Sequence, residues 1–233
     1  MRTIEKIALM VVFVAGLVSV YGQEGDDDRK LKIDAGADLV SSYVWRGLYQ
    51  TGASFQPSAS LSVKGLTFGT WASTDFKALI KEVDFFFSYE LKGFSLGLFD
   101  FWCQNEGESF FKDRKSHLFE FILGYSFPEK FPLSLELNTM FSGDDDLGDD
   151  GKRLYSTYIT AGYPFTIEQF DCEVGIGITP WKGIYADHFN IATITAKATK
   201  KLPISSGYAL PVYVELILAP STDNIFVVFG ITF

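Results

Sequence analysis

From residue 31 to residue 233 the chain alternates apolar and polar side chains with a period of two. In "VDFFFSYEL", Val83, Phe85, Phe87, Tyr89 and Leu91 share one face, while Asp84, Phe86, Ser88 and Glu90 share the other. In "FDCEVGIGI", Phe170, Cys172, Val174, Ile176 and Ile178 oppose Asp171, Glu173, Gly175 and Gly177. "SFQPSASLSVK" sets Phe55, Pro57, Ala59, Leu61 and Val63 against Ser54, Gln56, Ser58, Ser60, Ser62 and Lys64. Successive side chains of a strand point to opposite faces, so this periodicity predicts β-structure with no helical interruption. Twelve such runs are expected, at about 31–46, 54–64, 66–74, 81–91, 93–103, 116–127, 131–142, 153–164, 169–179, 189–200, 209–219 and 223–233. The apolar parity of "FSLGLFDFWC" switches near Phe99, which predicts a bulge there.

The connections add a second pattern. Every other one is short or turn-like: "KGL", "LKGF", "FPEKFP", "YPFTIEQ" and "KLPISSG". Those between them are mostly longer and more polar, such as "NEGESFFKDRK", "GDDDLGDDGKR" and "PWKGIYADHF". An even number of alternating strands, with short turns at one end and long loops at the other, predicts an all-β fold: a transmembrane antiparallel β-barrel. The last strand, "DNIFVVFGITF", alternates to a terminal Phe233, which resembles the end of outer-membrane barrels. A soluble β-sandwich also alternates, but does not need an apolar aromatic outside around a polar inside.

Composition and compartment agree with a membrane barrel. The chain carries 23 Phe, 11 Tyr and 4 Trp beside a net charge of −9. Residues 1–22 read as a cleaved signal peptide: Arg2 and Lys6 precede an apolar stretch at 7–20, and Val20 and Gly22 suit the cleavage site. Residues 23–30 form a charged periplasmic leader, and 31–233 the single barrel domain. Cleavage takes the net charge to −10, with no basic footprint for nucleic acid. Two cysteines, Cys103 and Cys172, make no disulfide framework and are expected to lie too far apart to pair.

Inside a membrane barrel the polar set faces the lumen, because lipid cannot solvate charge. That rule turns Asp34, Asp38, Asp84, Glu90, Glu120, Glu136, Asp171, Glu173 and Glu215 inward, against only Arg46, Lys64 and Lys197. An acidic lumen filled with water favours cations. The alternative is a narrow barrel whose charges pair into a plug. Glu136 and Glu215, inward and mid-strand, are the leading selectivity candidates, followed by Asp38; Asp84, Glu120, Arg46 and Lys197 complete the candidate set.

Candidate chemistry is sparse. His188, in "YADHFN", could serve as a base in a barrel hydrolase, but Asp187 beside it points to the opposite face of a strand. "GDDDLGDDG" fails the EF-hand spacing, since the twelfth position counted from Asp144 is Tyr155. Asp144, Asp145, Asp146, Asp149 and Asp150 are therefore expected to form a solvated tip that shares divalent cations with lipopolysaccharide phosphates. No cofactor and no dedicated metal site are expected.

The opening of the barrel domain is more specific. "SSYVWRG", Pro57 in the next strand, and "GLTFGTWAS" resemble the TorF family of porins, signal-bearing bacterial outer-membrane barrels. Ser41, Tyr43, Arg46, Gly47, Gly65, Gly69, Trp71 and Ser73 carry the match, which covers about residues 40–75. The resemblance implies an outer-membrane porin barrel and carries over no established catalytic residues. The function expected is passive passage of small polar or cationic solutes through the outer membrane. A closed structural or partner-docking barrel is the alternative. On the parity of strand one, Asp34, Asp38, Ser42 and Arg46 face the lumen, and Tyr43 and Trp45 face the lipid boundary. Arg46 is then expected either to pair with Asp84 and hold the first outer loop folded inward, or to be a solvated charge at the rim.

Overall fold

The computed structural model describes residues 31–76, 81–104, 109–112 and 116–233. The signal peptide and charged leader expected over residues 1–30 lie outside the described residues.

Twelve of the strands close into one antiparallel barrel, each paired with its neighbours along the chain. They are β1 (Lys32–Val40), β4 (Ser54–Val63), β5 (Leu66–Asp75), β6 (Lys81–Leu91), β7 (Phe94–Trp102), β8 (His117–Ser126), β9 (Ser134–Ser142), β10 (Thr157–Ile167), β11 (Phe170–Thr179), β12 (Asn190–Ser205), β13 (Tyr208–Ala219) and β14 (Asn224–Thr232). Two short strands, β2 (Tyr43–Trp45) and β3 (Leu48–Thr51), form a separate hairpin. Closure leaves no sheet edge around the ring, so every wall strand has a partner on both sides where the register overlaps.

The expected alternation holds in the wall. Phe55, Leu61, Phe68, Phe87, Leu96, Leu98, Phe121, Leu123, Val174, Ile176, Val214, Leu216, Val227 and Phe229 are all exposed on the outer face. Such an apolar outside is unfavourable in water and suits lipid. Several details differ from expectation. The wall part of strand one ends at Val40, not near residue 46, because the chain bends at Ser41–Ser42 before the inner hairpin begins. No bulge occurs at Phe99; β7 alternates regularly, with Phe99 and Phe101 turned inward and Leu96 and Leu98 outward. The register shifts in the wall fall instead at Phe119/Glu120, Gly177/Ile178 and Pro203/Ser205.

Two-residue turns at the short end follow from sequence. Lys64–Gly65 and Lys92–Gly93 have φ of 51° and 80°, and 50° and 84°. Two successive positive φ values are the signature of a type I′ hairpin turn, whose twist matches that of the strands it joins. Lys64 is therefore a turn residue, not a lumenal charge.

The seam between first and last strands is short. Asp38↔Thr232, Leu39↔Ile231 and Val40↔Gly230 pair in register, and Ala37 and Phe233 exchange backbone bonds at 3.4 and 2.9 Å. Side chains extend it: Ser41 Oγ accepts from the Phe229 amide at 2.9 Å, and Thr232 Oγ1 donates to Asp38 Oδ1 at 2.6 Å. The Ser41 amide also donates to the Phe229 carbonyl at 2.8 Å. Ser41 thus supplies, with its hydroxyl, the acceptor that a further pair of the ladder would have offered. The double variant Ser41→Ala/Thr232→Ala removes two side-chain bonds from the seam, each worth about 0.5–1.5 kcal/mol. A lowered temperature for loss of heat-modifiable migration on gels is the expected result; an unchanged one would show that the backbone ladder alone closes the barrel.

Candidate functional site

The hairpin β2–β3 connects the long-loop ends of β1 and β4 and folds into the barrel. Its turn, Trp45–Arg46–Gly47–Leu48, has φ of 50° at Arg46 and 84° at Gly47. This is the same type I′ geometry as the two Lys–Gly turns, here placed inside the lumen. Gly47 has a second constraint. A Cβ added there would lie 3.0 Å from both the Ala192 carbonyl oxygen and Thr193 Cγ2. A side chain is excluded by the backbone angle and by the facing wall together.

Three apolar clusters fill the long-loop half of the lumen, and the hairpin joins all of them. Trp45 packs against Phe99, Phe101, Leu118, Ile122 and Met140. Trp45 and Leu48 pack against Tyr158, Tyr185 and Ala192. Val44 packs against Val40, Ile217 and Val228. Room for the rings comes from wall glycines: a Cβ at Gly69, Gly177 or Gly230 would run into the ring of Phe86, Tyr158 or Tyr213 on the adjacent strand. A glycine opposite an aromatic lets the ring lie flat on the wall instead of crossing the bore.

Arg46 sits at the tip of this insertion. Its Nη1 and Nη2 donate to Glu120 Oε1 and Oε2 at 2.5 and 2.8 Å, and Nη1 also donates to the Tyr185 hydroxyl at 2.6 Å. The guanidinium carbon lies 4.8 Å from the centre of the Trp45 ring, 5.0 Å from that of Tyr158 and 5.8 Å from that of Tyr185. Glu120 is 0% exposed and the Arg46 side chain 13%. A planar guanidinium with five donors matches a carboxylate in this forked geometry, and its flat face suits aromatic rings. The wall residues of this cage are positioned in turn: the Tyr158 hydroxyl bonds Thr193 Oγ1 at 2.5 Å.

The motif residues near the start of the domain form one structural unit. Tyr43 is buried against Trp71, with ring centres 5.3 Å apart, and its hydroxyl donates to Glu82 Oε1 at 3.4 Å. Trp71, Gly69 and Ser73 are inward residues of β5. Tyr43 and Trp45 therefore face the lumen and not the lipid, because the bend at Ser41–Ser42 takes them out of strand-one parity. Arg46 does hold the first loop inward, but through Glu120 and not Asp84. Asp84 is fully buried on β6 beside Glu82, and its carboxylate has no side-chain hydrogen-bond partner among the described residues.

Below the hairpin lies a cavity of about 100 Å³. Four carboxylates (Glu120, Glu136, Glu173 and Glu215) and two basic groups (Arg46 and Lys197) line it. Glu136 accepts from Asn138 Nδ2 at 2.9 Å. Lys197 is the cross-strand neighbour of both Glu173 and Glu215, and its ammonium lies 4.0 Å from the centre of the Tyr213 ring. The structure thus brings together Arg46, Glu120, Glu136, Glu215 and Lys197 from the sequence-derived candidates. Asp38 belongs to the seam and Asp84 to a separate buried pair. Glu82, Tyr158 and Tyr185 were missed. Parity extended by one more pair would have reached Glu82; Tyr158 has the wall parity of Thr160, whereas nothing in the sequence places the loop residue Tyr185 in the lumen.

The other loops hold their own order. Asp146 is not part of a solvated tip: it is buried, and its carboxylate oxygens accept from the Tyr155 and Ser156 amides, each at 3.0 Å. Asp144, Asp145, Asp149 and Asp150 are exposed as expected. The Lys152 ammonium beside Asp150, at 2.9 Å, holds that carboxyl below its ordinary value. Asp187 and His188 are exposed on the β11–β12 loop. His117 lies on the outer parity of β8, where its Nδ1 meets Asp100 Oδ1 at 2.7 Å and its Nε2 meets the Phe110 carbonyl at 2.9 Å. Cys103 and Cys172 are not joined in a disulfide.

No family model and no curated protein sequence match the chain, so the resemblance to the TorF porins rests on the motif alone. Among solved structures, the fold is similar to that of a KdgM porin, with a TM-score of 0.50 at 11% identity over 86% of this chain and 97% of that one. Lower scores are found with OmpF of Salmonella typhi (0.39, 10% identity, 92% and 99% covered) and an outer membrane channel from Pseudomonas putida F1 (0.41, 15%, 91% and 98%). At such identities the likeness is one of fold.

Breaking the buried Arg46–Glu120 pair from either side leaves an uncompensated charge, at a cost of about 3–5 kcal/mol. Arg46→Ala and Glu120→Gln are each expected to lower stability in denaturant titrations of the folded protein in detergent. The double variant should lose less than the two singles together. Strictly additive losses would mean that the pair contributes through packing alone.

Proposed function

We propose that the protein is an outer-membrane channel for small cationic solutes, with the β2–β3 hairpin as its constriction. The observation that carries this is the lumenal cavity, in which four carboxylates face two basic groups, one of them already neutralised by Glu120. Charge inside a low-dielectric wall focuses the field along the bore, so the excess of carboxylates raises the local concentration of cations. Glu136 and Glu215 set this selectivity, and Lys197 between Glu173 and Glu215 tempers it. Fold similarity to a porin barrel, an apolar outer surface and the short motif shared with the TorF porins support the same reading. So does the signal-like sequence of residues 1–22, which directs the chain out of the cytoplasm. The outward aromatic and aliphatic side chains meet membrane lipid, and the exposed Asp144, Asp145 and Asp149 meet the divalent cations of the lipopolysaccharide layer.

One observation favours a second reading, a closed barrel that stiffens the envelope or docks a partner: the long-loop half of the lumen is filled by the hairpin and its three apolar clusters. Catalysis finds no comparable support, since His188 lies on an exposed loop.

Planar-bilayer recording of the refolded protein decides between the two. The channel reading expects conductance with cation preference, reduced toward neutrality in Glu136→Gln/Glu215→Gln and weakened at high salt, where the Debye length falls to about 3 Å. Absence of conductance from correctly folded protein, or selectivity untouched in the double variant, would count against the channel or against these two residues respectively.

A further inference from the structure

Arg46 occupies its cage in the manner of a ligand. The wall and the β11–β12 loop provide the Glu120 carboxylate, the Tyr185 hydroxyl and the rings of Tyr158 and Tyr185. All of these belong to parts of the chain far from the hairpin in sequence, and Tyr158 is fixed separately by its bond to Thr193. The hairpin contributes only the guanidinium itself and the Trp45 ring above it. Withdrawal of the hairpin therefore leaves a receptor with an in-plane carboxylate fork, a neutral hydroxyl acceptor and aromatic faces. These are the features that distinguish a guanidinium from an ammonium: two parallel N–H donors for the fork and a flat weakly hydrated cation for the rings. The receptor opens onto the acid-lined cavity, which holds cations next to it.

We propose that this cage is a binding site for the guanidinium group of a permeating solute, and that Arg46 is its built-in competitor. The solute class is small guanidinium compounds and the arginine side chain or its derivatives. Occupation by Arg46 narrows the bore; occupation by a free guanidinium displaces the hairpin and widens it. The proposal rests on the channel reading for its consequence, but the binding site itself can be tested without conductance.

Arg46→Ala vacates the cage while Trp45, Tyr158, Tyr185 and Glu120 remain. Millimolar methylguanidinium is expected to raise the melting temperature of the detergent-folded Arg46→Ala protein toward that of the wild type, since binding to the native state alone stabilises it. Methylammonium or sodium at equal concentration should leave it unmoved, and Arg46→Ala/Glu120→Gln should not respond to methylguanidinium. An unresponsive Arg46→Ala protein, or an equal response to methylammonium, would overturn the proposal. If Arg46→Ala does not fold, Arg46→Lys takes its place, because an ammonium keeps the charge but leaves the fork and ring faces incompletely used. In bilayers the wild-type protein is expected to pass methylguanidinium in preference to methylammonium, two cations with equal charge. Equal permeability in a conducting protein would count against the cage as a selectivity site. A protein that shows the thermal rescue but conducts nothing would retain the binding site and refute the channel.

Discussion

Much of the inner architecture depends on one buried ion pair, Arg46 with Glu120. Taking a guanidinium and a carboxylate out of water is expensive, and only near-ideal geometry compensates for it. Here the carboxylate accepts two parallel N–H bonds, a tyrosine hydroxyl takes a third, and rings cover the flat faces of the guanidinium. Such an arrangement demands that the hairpin tip stand at one height and one rotation within the barrel. The type I′ turn, the side-chain-free Gly47 and the fit of Trp45 between two clusters all satisfy that demand.

The consequence is a barrel divided in two. On the long-loop side, rings lying against glycines and the inserted hairpin make a packed core of the kind found in soluble proteins. On the short-turn side of the hairpin, polar side chains and carboxylates line open space. The two halves answer different physical requirements, since apolar packing resists the entry of water and carboxylates require it. Arg46 lies at their boundary and belongs to both, which gives a single residue leverage over closure and over charge.

The wall was legible in the sequence. Period-two alternation marked all twelve strands, and Lys–Gly pairs marked two of their turns, because a strand's facing and a tight turn's angles are local properties. The candidate site was legible in part. Parity found the inward carboxylates Glu120, Glu136 and Glu215, yet it could not choose which of them Arg46 would meet. Asp84 has the same parity as Glu120 in the pattern, and only the path of the hairpin across the bore separates them. Tyr43 and Trp45 were misplaced for a related reason: an aromatic at a strand end has the same local signature whether it meets lipid or packs inside. The Arg46–Gly47 pair did carry a signal, since it repeats the Lys64–Gly65 and Lys92–Gly93 pattern and announces a tight turn at the end of the expected first strand.

By itself the sequence determined the number of wall strands, their facing, the apolar outside, the acidic inside and the ends at which turns and loops lie. These follow from alternation and turn chemistry, which act between neighbours along the chain. Only the tertiary structure decided that "SSYVWRG" leaves the wall at Ser41, that its aromatics enter the lumen, and that Arg46 finds Glu120 and Tyr185. Those partners are 74 and 139 residues away. Their meeting depends on ring closure and on space left by glycines on other strands, and no local pattern encodes either.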